Sequence, residues 1–396
     1  MKVGILTHHW LPNFGANLQA YCTVRALKDL GCEPVMIDYR LDAIRGFYSQ
    51  RVDSRQLKEH EKFVQKHLSL GPEVHTSEEV VEFAKDAALE AVVSGSDAVL
   101  RIDRSRPSRP DLQFPNPFWL DWAGQVGIAR SGFLAASSMG SNYLELRRGL
   151  RNSIGETVSS LRHCTVRDSW TRAMLRVCGI AAEKIVWCPD PVSYLSALDL
   201  ETLLPSIELP DRPFVLVSLY PQTASKEWAE QLRKELNARG FLAVGFPHPD
   251  YPASGQCDQV VDLPLDPLAW LAWLRACHGY IGVRFHPIML SLVFNKPFVA
   301  LDHYDLGVPF RNKILSRFGR VIAPLSRRVS KTYDLCHRVD LEKYVLPARR
   351  IKFFSPAKVA DLLVEQQSGE GADPPCRNWH IEFQKQLSSI VGPSRN

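Results

Sequence analysis

Short apolar runs alternate with stretches of helical periodicity along almost the whole chain, and this alternation constrains the fold more than any other feature. Strand–helix–strand units close as parallel pairs, so their repetition predicts an α/β protein with largely parallel sheets. Val3 to Thr7 reads as a first strand. A loop ending near Gly15-Ala16 leads into an amphipathic helix carried by Leu18, Tyr21, Cys22, Arg25, Leu27 and Leu30, with Gly31 as its stop. Pro34 to Asp38 is the next strand. Thr76-Ser77-Glu78-Glu79 opens a helix with capping-box character, and Ala91 to Ser94 is a buried strand ending at Gly95-Ser96-Asp97. Thr165-Val166 and Lys184 to Trp187 add strands. Pro191, Pro205, Pro210 and Pro213 then interrupt the pattern and mark a domain boundary. Beyond it, strands Phe214 to Leu219 and Phe241 to Gly245 flank a helix running from Ser225 to Ala238.

A length of 396 residues allows two or three domains, each with its own core. The apolar stretch Leu268 to Leu274 is far shorter than the roughly 20 residues of a membrane span and reads as a buried or amphipathic helix. Met1-Lys2 leads straight into a strand, so no signal peptide is expected. The nine cysteines are scattered without CxxC spacing, which favours reduced cytosolic thiols over disulfides or a zinc site. His8 and His9 are adjacent in an extended segment and point oppositely, so they do not chelate together. The net charge of +5 is concentrated at Arg101, Arg104, Arg106 and Arg109, then at Arg147, Arg148 and Arg151. These are solvated basic loops, or they attract an anionic acceptor or an anionic membrane surface. No nucleic-acid-binding motif accompanies them.

The segment Gly279-Tyr280-Ile281-Gly282-Val283-Arg284-Phe285-His286-Pro287 carries the chemistry. An apolar strand is expected to end in Arg284, Phe285 and His286, with a helix opening on Pro287. The C-terminal edge of a parallel sheet would then hold a fixed cation, an imidazole and the positive end of a helix dipole. That set reads as an anion-handling site with an acid/base.

Several segments together resemble the polysaccharide pyruvyl transferase family. Lys2 to Thr7 followed by Asn13-Phe14-Gly15-Ala16-Asn17-Leu18-Gln19-Ala20-Tyr21 looks like its opening strand, glycine loop and helix. Val93-Ser94-Gly95-Ser96-Asp97 is similar to its GSD motif, Val166-Arg167-Asp168 to its VRD turn, and Asp190-Pro191 to its DP pair. Arg284-Phe285-His286 with Phe294-Asn295-Lys296-Pro297 is similar to its C-terminal signature. Departures are Ala98-Val99-Leu100 where the family often has Gln and Trp, and Leu306 at the place of a lysine found in some members.

The resemblance implies a GT-B-like α/β architecture, two Rossmann-like domains facing across a cleft. Residues 1–195 would form the acceptor side and 196–354 the donor side, with 355–396 a helical tail returning to the first domain as a lid or strap. It implies transfer of a pyruvyl group from phosphoenolpyruvate to two hydroxyls of a sugar in a polysaccharide or glycolipid precursor, giving a ketal and phosphate. The acceptor would be lipid-linked or nucleotide-linked, and the enzyme cytoplasmic. Such a donor needs forked cationic groups for its carboxylate and phosphate, which suits Arg284 and Arg167, with Arg311 or Lys313 in place of the absent lysine. Protons move at each stage, which makes His286 the acid/base unless it merely caps its helix, and Asp97 an auxiliary base unless it caps a turn. Asn13, Gly15 and Asn17 form either an acceptor loop or an ordinary tight turn. Arg284 in a surface salt bridge and Arg167 paired with Asp168 are the structural alternatives. No metal or other cofactor is expected, since arginines can neutralise the leaving phosphate. The competing functions are a nucleotide-sugar glycosyltransferase, with Asp302 toward a ribose, and a non-catalytic glycan binder.

Overall fold

Two all-parallel sheets account for every strand of the computed structural model, which describes residues 1–139, 141–253, 255–302, 330–367 and 376–392. The first sheet contains β1 (Lys2–Leu6), β2 (Glu33–Tyr39), β3 (Leu70–Val74), β4 (Ala91–Ser94), β5 (Arg130–Ala136), β6 (His163–Val166) and β7 (Ile185–Trp187). Its order is β3-β2-β1-β4-β5-β6-β7. The second contains β8 (Phe214–Ser218), β9 (Leu242–Gly245), β10 (Gln259–Val260), β11 (Tyr280–Gly282), β12 (Phe298–Asp302) and β13 (Val345–Pro347), in the order β10-β9-β8-β11-β12-β13. Each order reverses direction once, between β1 and β4 and between β8 and β11. Those switch points open crevices at the carboxyl ends of the strands, where α/β sheets hold ligands.

The strands form where expected because they are buried on both faces and read as continuous apolar runs. Ala91–Ser94 and Phe214–Ser218 are buried along their whole lengths. The helix Phe14–Asp29 starts at Asn13, whose side chain accepts from Ala16 N, and Thr76 with Glu79 makes a complete capping box. Sequence periodicity did not reveal β3 or β5. In Arg130–Ala136 the small residues Ser131, Gly132, Ala135 and Ala136 dilute the apolar signal, although nearly all of the strand is buried.

One expected boundary is corrected. β11 stops at Gly282 and the next helix, Phe285–Val293, begins at Phe285 with Arg284 as N-cap, so Pro287 is its third residue. A proline is tolerated throughout a first turn, because none of those N–H groups has an intrahelical partner. The turn also sends Arg284 and His286 in different directions, as their contacts below show.

The domains meet through stacked rings. Phe14 stacks on Trp270 at 5.0 Å and Trp270 on Phe246 at 5.2 Å, so the apolar helix Pro267–Ala276 is buried at the seam. Gln56 adds two hydrogen bonds to the backbone of Leu265, of 2.8 and 2.7 Å. No described helix is long and apolar enough to cross a membrane. The nine cysteines are free thiols, eight of them buried. Within the arginine-rich segment, Arg106 pairs with Asp103 at 3.3 Å and Arg109 with Asp111 at 2.6 Å, which neutralises part of its charge locally.

The tail divides between the two domains. Helix Pro356–Gln367 packs on helix Lys226–Ala238, whereas helix Trp379–Val391 crosses to the first sheet and lies on β4, β5 and β6. Trp379 meets Trp187 at 5.5 Å, and Phe383, Leu387 and Ile390 are completely buried there. This helix is a layer of the first domain and lines no part of the cavity described below. Phe383→Ala should cost about 3–5 kcal/mol, the usual range for deleting a buried aromatic side chain. Urea denaturation would measure the loss, and an unchanged midpoint would show that the helix is dispensable.

Candidate active site

The site begins at Gly95. Its φ of +122° lies where side chains are rarely tolerated, and an added Cβ would collide with the carbonyl oxygen of Leu134. Glycine therefore lets the chain leave β4 pressed against β5. Two residues on, Asp97 has φ +74° and is held by Ser137 N donating to its carbonyl at 2.8 Å. Its carboxylate is thereby delivered to Arg167, at the end of β6.

Arg167 is buried between two carboxylates. It donates to Asp97 Oδ1 at 2.6 Å and to Asp190 Oδ2 at 2.7 Å. Gln19, from the first helix, donates to the same Asp190 oxygen at 2.6 Å. Asp168 is not its partner; it caps helix Ser169–Val177, accepting from Thr171 N and Oγ1 at 2.7 Å each. The GSD, VRD and DP segments thus converge on one guanidinium.

His286 approaches this group from the second domain. Its Nε2 is buried, finds no hydrogen-bond partner among the described residues, and lies 4.0 Å from Asp190 Oδ2. An added Cβ on Gly15 would overlap the imidazole, with Nδ1 its nearest atom. Gly15 is thus needed for the close approach of the two domains. Phe285 is flanked by two cations, Arg167 at 5.1 Å and Lys331 at 4.8 Å from its centroid. Lys331 Nζ also lies 3.9 Å from Asp97.

A cavity of about 520 Å³ opens over these groups. Asn13, Gly15, Asp97 and Asp168 line it from the first domain, and His248, Arg284, His286 and Lys331 from the second. The N-termini of helices Phe14–Asp29, Ser169–Val177 and Phe285–Val293 all reach its wall, directing partial positive charge inward. Arg284 donates to Asp250 at 2.7 Å and lies 5.3 Å from the Tyr220 ring centroid.

The electrostatics follow from burial. Desolvation pushes the His286 pKa down to about 4, assisted by Lys331 and Arg167 and opposed by Asp190 and Asp97. Burial lowers Lys331, with Arg167 adding to the effect. Burial would raise Asp97, but Arg167, Lys331 and His286 together hold it far below the usual carboxylate range. His248 is driven well down by burial and by the nearby Arg284 and His286. The imidazoles are neutral bases and Asp97 is a fixed anion.

Set against expectation, His286, Asp97, Arg284, Asn13 and Gly15 all line the cavity. Arg167 does not; its guanidinium is committed to the two aspartates beneath. Asn17 also does not. It is fully buried, donating to the carbonyls of His9 at 2.7 Å and Leu11 at 3.3 Å while its oxygen meets His60. Arg311 and Lys313 lie outside the described residues. His9 bonds Asp38 at 3.0 Å and Thr7, deep in the first domain. Lys331, His248, Asp190 and Gln19 received no individual role from sequence, although Asp190 and Gln19 stood inside quoted motifs.

Two Rossmann-like sheets with a site across their cleft define the GT-B class. Solved structures of that fold are similar over nearly the whole chain. A UDP-N-acetylglucosamine 2-epimerase matches with TM-score 0.54 and 12% identity, covering 100% of this chain and 97% of its own. The UDP-GlcNAc 2-epimerase from Neisseria meningitidis bound to UDP-GlcNAc matches with TM-score 0.52 and 11% identity, over 98% and 99%. No curated protein sequence matches significantly. Residues 13–305 match the model of the polysaccharide pyruvyl transferase family, and the chain belongs to that family of transferases.

The buried histidines predict an acid-sensitive fold. In the unfolded chain His286 titrates near 6.5, in the folded one near 4, and His60 is pushed by burial to about 3. Between these values the unfolded state binds more protons, so stability falls as pH drops from about 6.5 toward 4. Urea midpoints across that window should decline, and His286→Asn should flatten the slope. A slope unchanged by His286→Asn would mean that the imidazole is not held neutral.

Proposed function

We propose that the enzyme transfers the pyruvyl group of phosphoenolpyruvate onto two hydroxyls of one sugar in a polysaccharide or glycolipid precursor, forming a cyclic ketal and releasing phosphate. The observation carrying this reading is the cavity itself: three helix N-termini, Lys331 and Arg284 surround a buried neutral His286. A small dianionic or trianionic donor suits such a lining.

In this reading Lys331, Arg284 and the helix starts hold the donor's carboxylate and phosphate. A proton reaches the donor methylene, and one sugar hydroxyl adds to the adjacent carbon, losing its proton. The carbon–oxygen bond to phosphate then breaks, the leaving group takes a proton, and the second hydroxyl closes the ring and loses its own. Phosphoenolpyruvate and a diol become a ketal and inorganic phosphate, with no net redox change. His286 neutral accepts a hydroxyl proton; Asp190, 4.0 Å away, stabilises the imidazolium. Ionised Asp97 orients a sugar hydroxyl. Arg167 acts as a positioning residue, fixing both aspartates. Lysine and arginine supply the charge that the phosphate needs, so activity should survive EDTA; loss restored by a divalent ion would contradict this.

Phosphoenolpyruvate should raise the melting temperature of the protein, because only the folded chain assembles these groups. Stabilisation by a UDP- or GDP-sugar with none by phosphoenolpyruvate would favour glycosyl transfer instead. His286→Asn should lower turnover by about 10²–10⁴-fold while phosphoenolpyruvate still stabilises the variant. Turnover near the parent rate would reduce His286 to a structural role.

A further inference from the structure

A second cavity of about 250 Å³ opens beside the first, and the two share Pro12 and Tyr48 in their walls. It lies wholly on the first domain. Trp10, Pro12 and Leu57 form the apolar part of its wall, the indole N–H of Trp10 being occupied by the Tyr39 carbonyl at 2.9 Å. Arg40, Arg45 and Glu61 form a charged part, in which Arg40 pairs with Glu61 at 2.9 Å and Arg45 with Glu73. Lys58 stands exposed at its edge. The volume is several times the roughly 30 Å³ of a water molecule and below that of sites for drug-sized ligands. One six-membered ring fills such a space.

His60 supplies the specific group. It lines the cavity at 2% exposure, and its Nε2 is buried with no hydrogen-bond partner among the described residues. The state of that nitrogen follows from its neighbours. Asn17 places its amide nitrogen between two carbonyls, those of His9 and Leu11, so that nitrogen must donate and the side-chain oxygen must accept. The oxygen lies 2.6 Å from His60 Nδ1, which therefore carries the proton. Nε2 is left as a bare acceptor. Burial lowers the His60 pKa to about 3, so the ring stays neutral across the working range. A buried acceptor without a partner is costly unless a ligand or water supplies the donor.

We propose that this side cavity is an acceptor subsite, holding a neutral sugar ring next to the one that receives the pyruvyl group, with a ring hydroxyl donating to His60 Nε2. An apolar patch beside charges already paired with one another, with a buried acceptor at the wall, suits a pyranose face and its hydroxyls. The proposal rests on the reading of the main cavity as the transfer site, since the shared wall is what makes the two sugar positions adjoin. Asn17 then serves the acceptor indirectly, by fixing the His60 tautomer.

The test uses full-length protein labelled with ¹⁵N-histidine and titrated with a panel of methyl hexopyranosides, gluco, galacto, manno and their 2-acetamido forms. At least one should move the His60 Nε2 resonance in the direction of hydrogen-bond acceptance, at roughly millimolar concentration. Ser49→Trp, at an exposed position on the cavity wall, should abolish the shift while leaving melting temperature and the phosphoenolpyruvate response intact. Lys58→Trp fills the cavity from helix Ser54–His67 if the first variant folds poorly. A panel with no effect on Nε2, or a shift that survives both fillings, overturns the subsite. A sugar response without any phosphoenolpyruvate stabilisation would leave the subsite standing and remove the pyruvyl-transfer reading.

Discussion

A buried arginine between two carboxylates governs the rest of this structure. Taking three charges out of water costs far more than their attraction returns unless each finds good partners. Arg167 meets that demand by drawing Asp97 and Asp190 to within 2.7 Å, while Gln19 donates to Asp190 and Lys331 lies 3.9 Å from Asp97. The ends of β4 and β6, the segment after β7 and the first helix are thereby pinned to one point. Removing one partner would strand the others, so the geometry of the cavity floor is all-or-none.

Onto that floor the second domain sets a single helix end. Phe285 rests under two cations and His286 reaches the shared aspartate, while Gly15 makes room for the ring. The Phe14–Trp270–Phe246 stack fixes the distance of approach. Neutral imidazoles then follow from desolvation, and the fixed anion from the cations around it. Acid/base capacity and anion attraction thus arise from one act of burial.

The fold was legible where apolar runs were unbroken. Val92 and Val93 or Phe214 to Val217 read as strands because nothing dilutes them, whereas Ser131, Gly132 and Ala135 hid the internal strand β5. At the site, residues within local motifs were readable and their partnerships were not. Arg167 was expected to face the donor, yet its true neighbours lie 70 and 23 positions away. Asn17 looked like a ligand group because it follows a glycine loop; burial turns it inward to brace that loop. Lys331 and His60 gain meaning only from the folded chain, since no spacing links them to His286 or Pro12.

The helix Trp379–Val391 has a consequence for biosynthesis. The first sheet, built from residues made before the second domain, receives a covering layer from a helix made after that domain. Domains generally fold as they leave the ribosome, amino-terminal ones first. Here the amino-terminal unit cannot finish before the carboxyl-terminal one has been made and has passed its closing helix across. Until then the faces of β4, β5 and β6 that will meet Phe383, Leu387 and Ile390 remain open to water. The order of synthesis and the order of completion run opposite ways, so a chain stalled or clipped ahead of Trp379 leaves the first sheet unfinished.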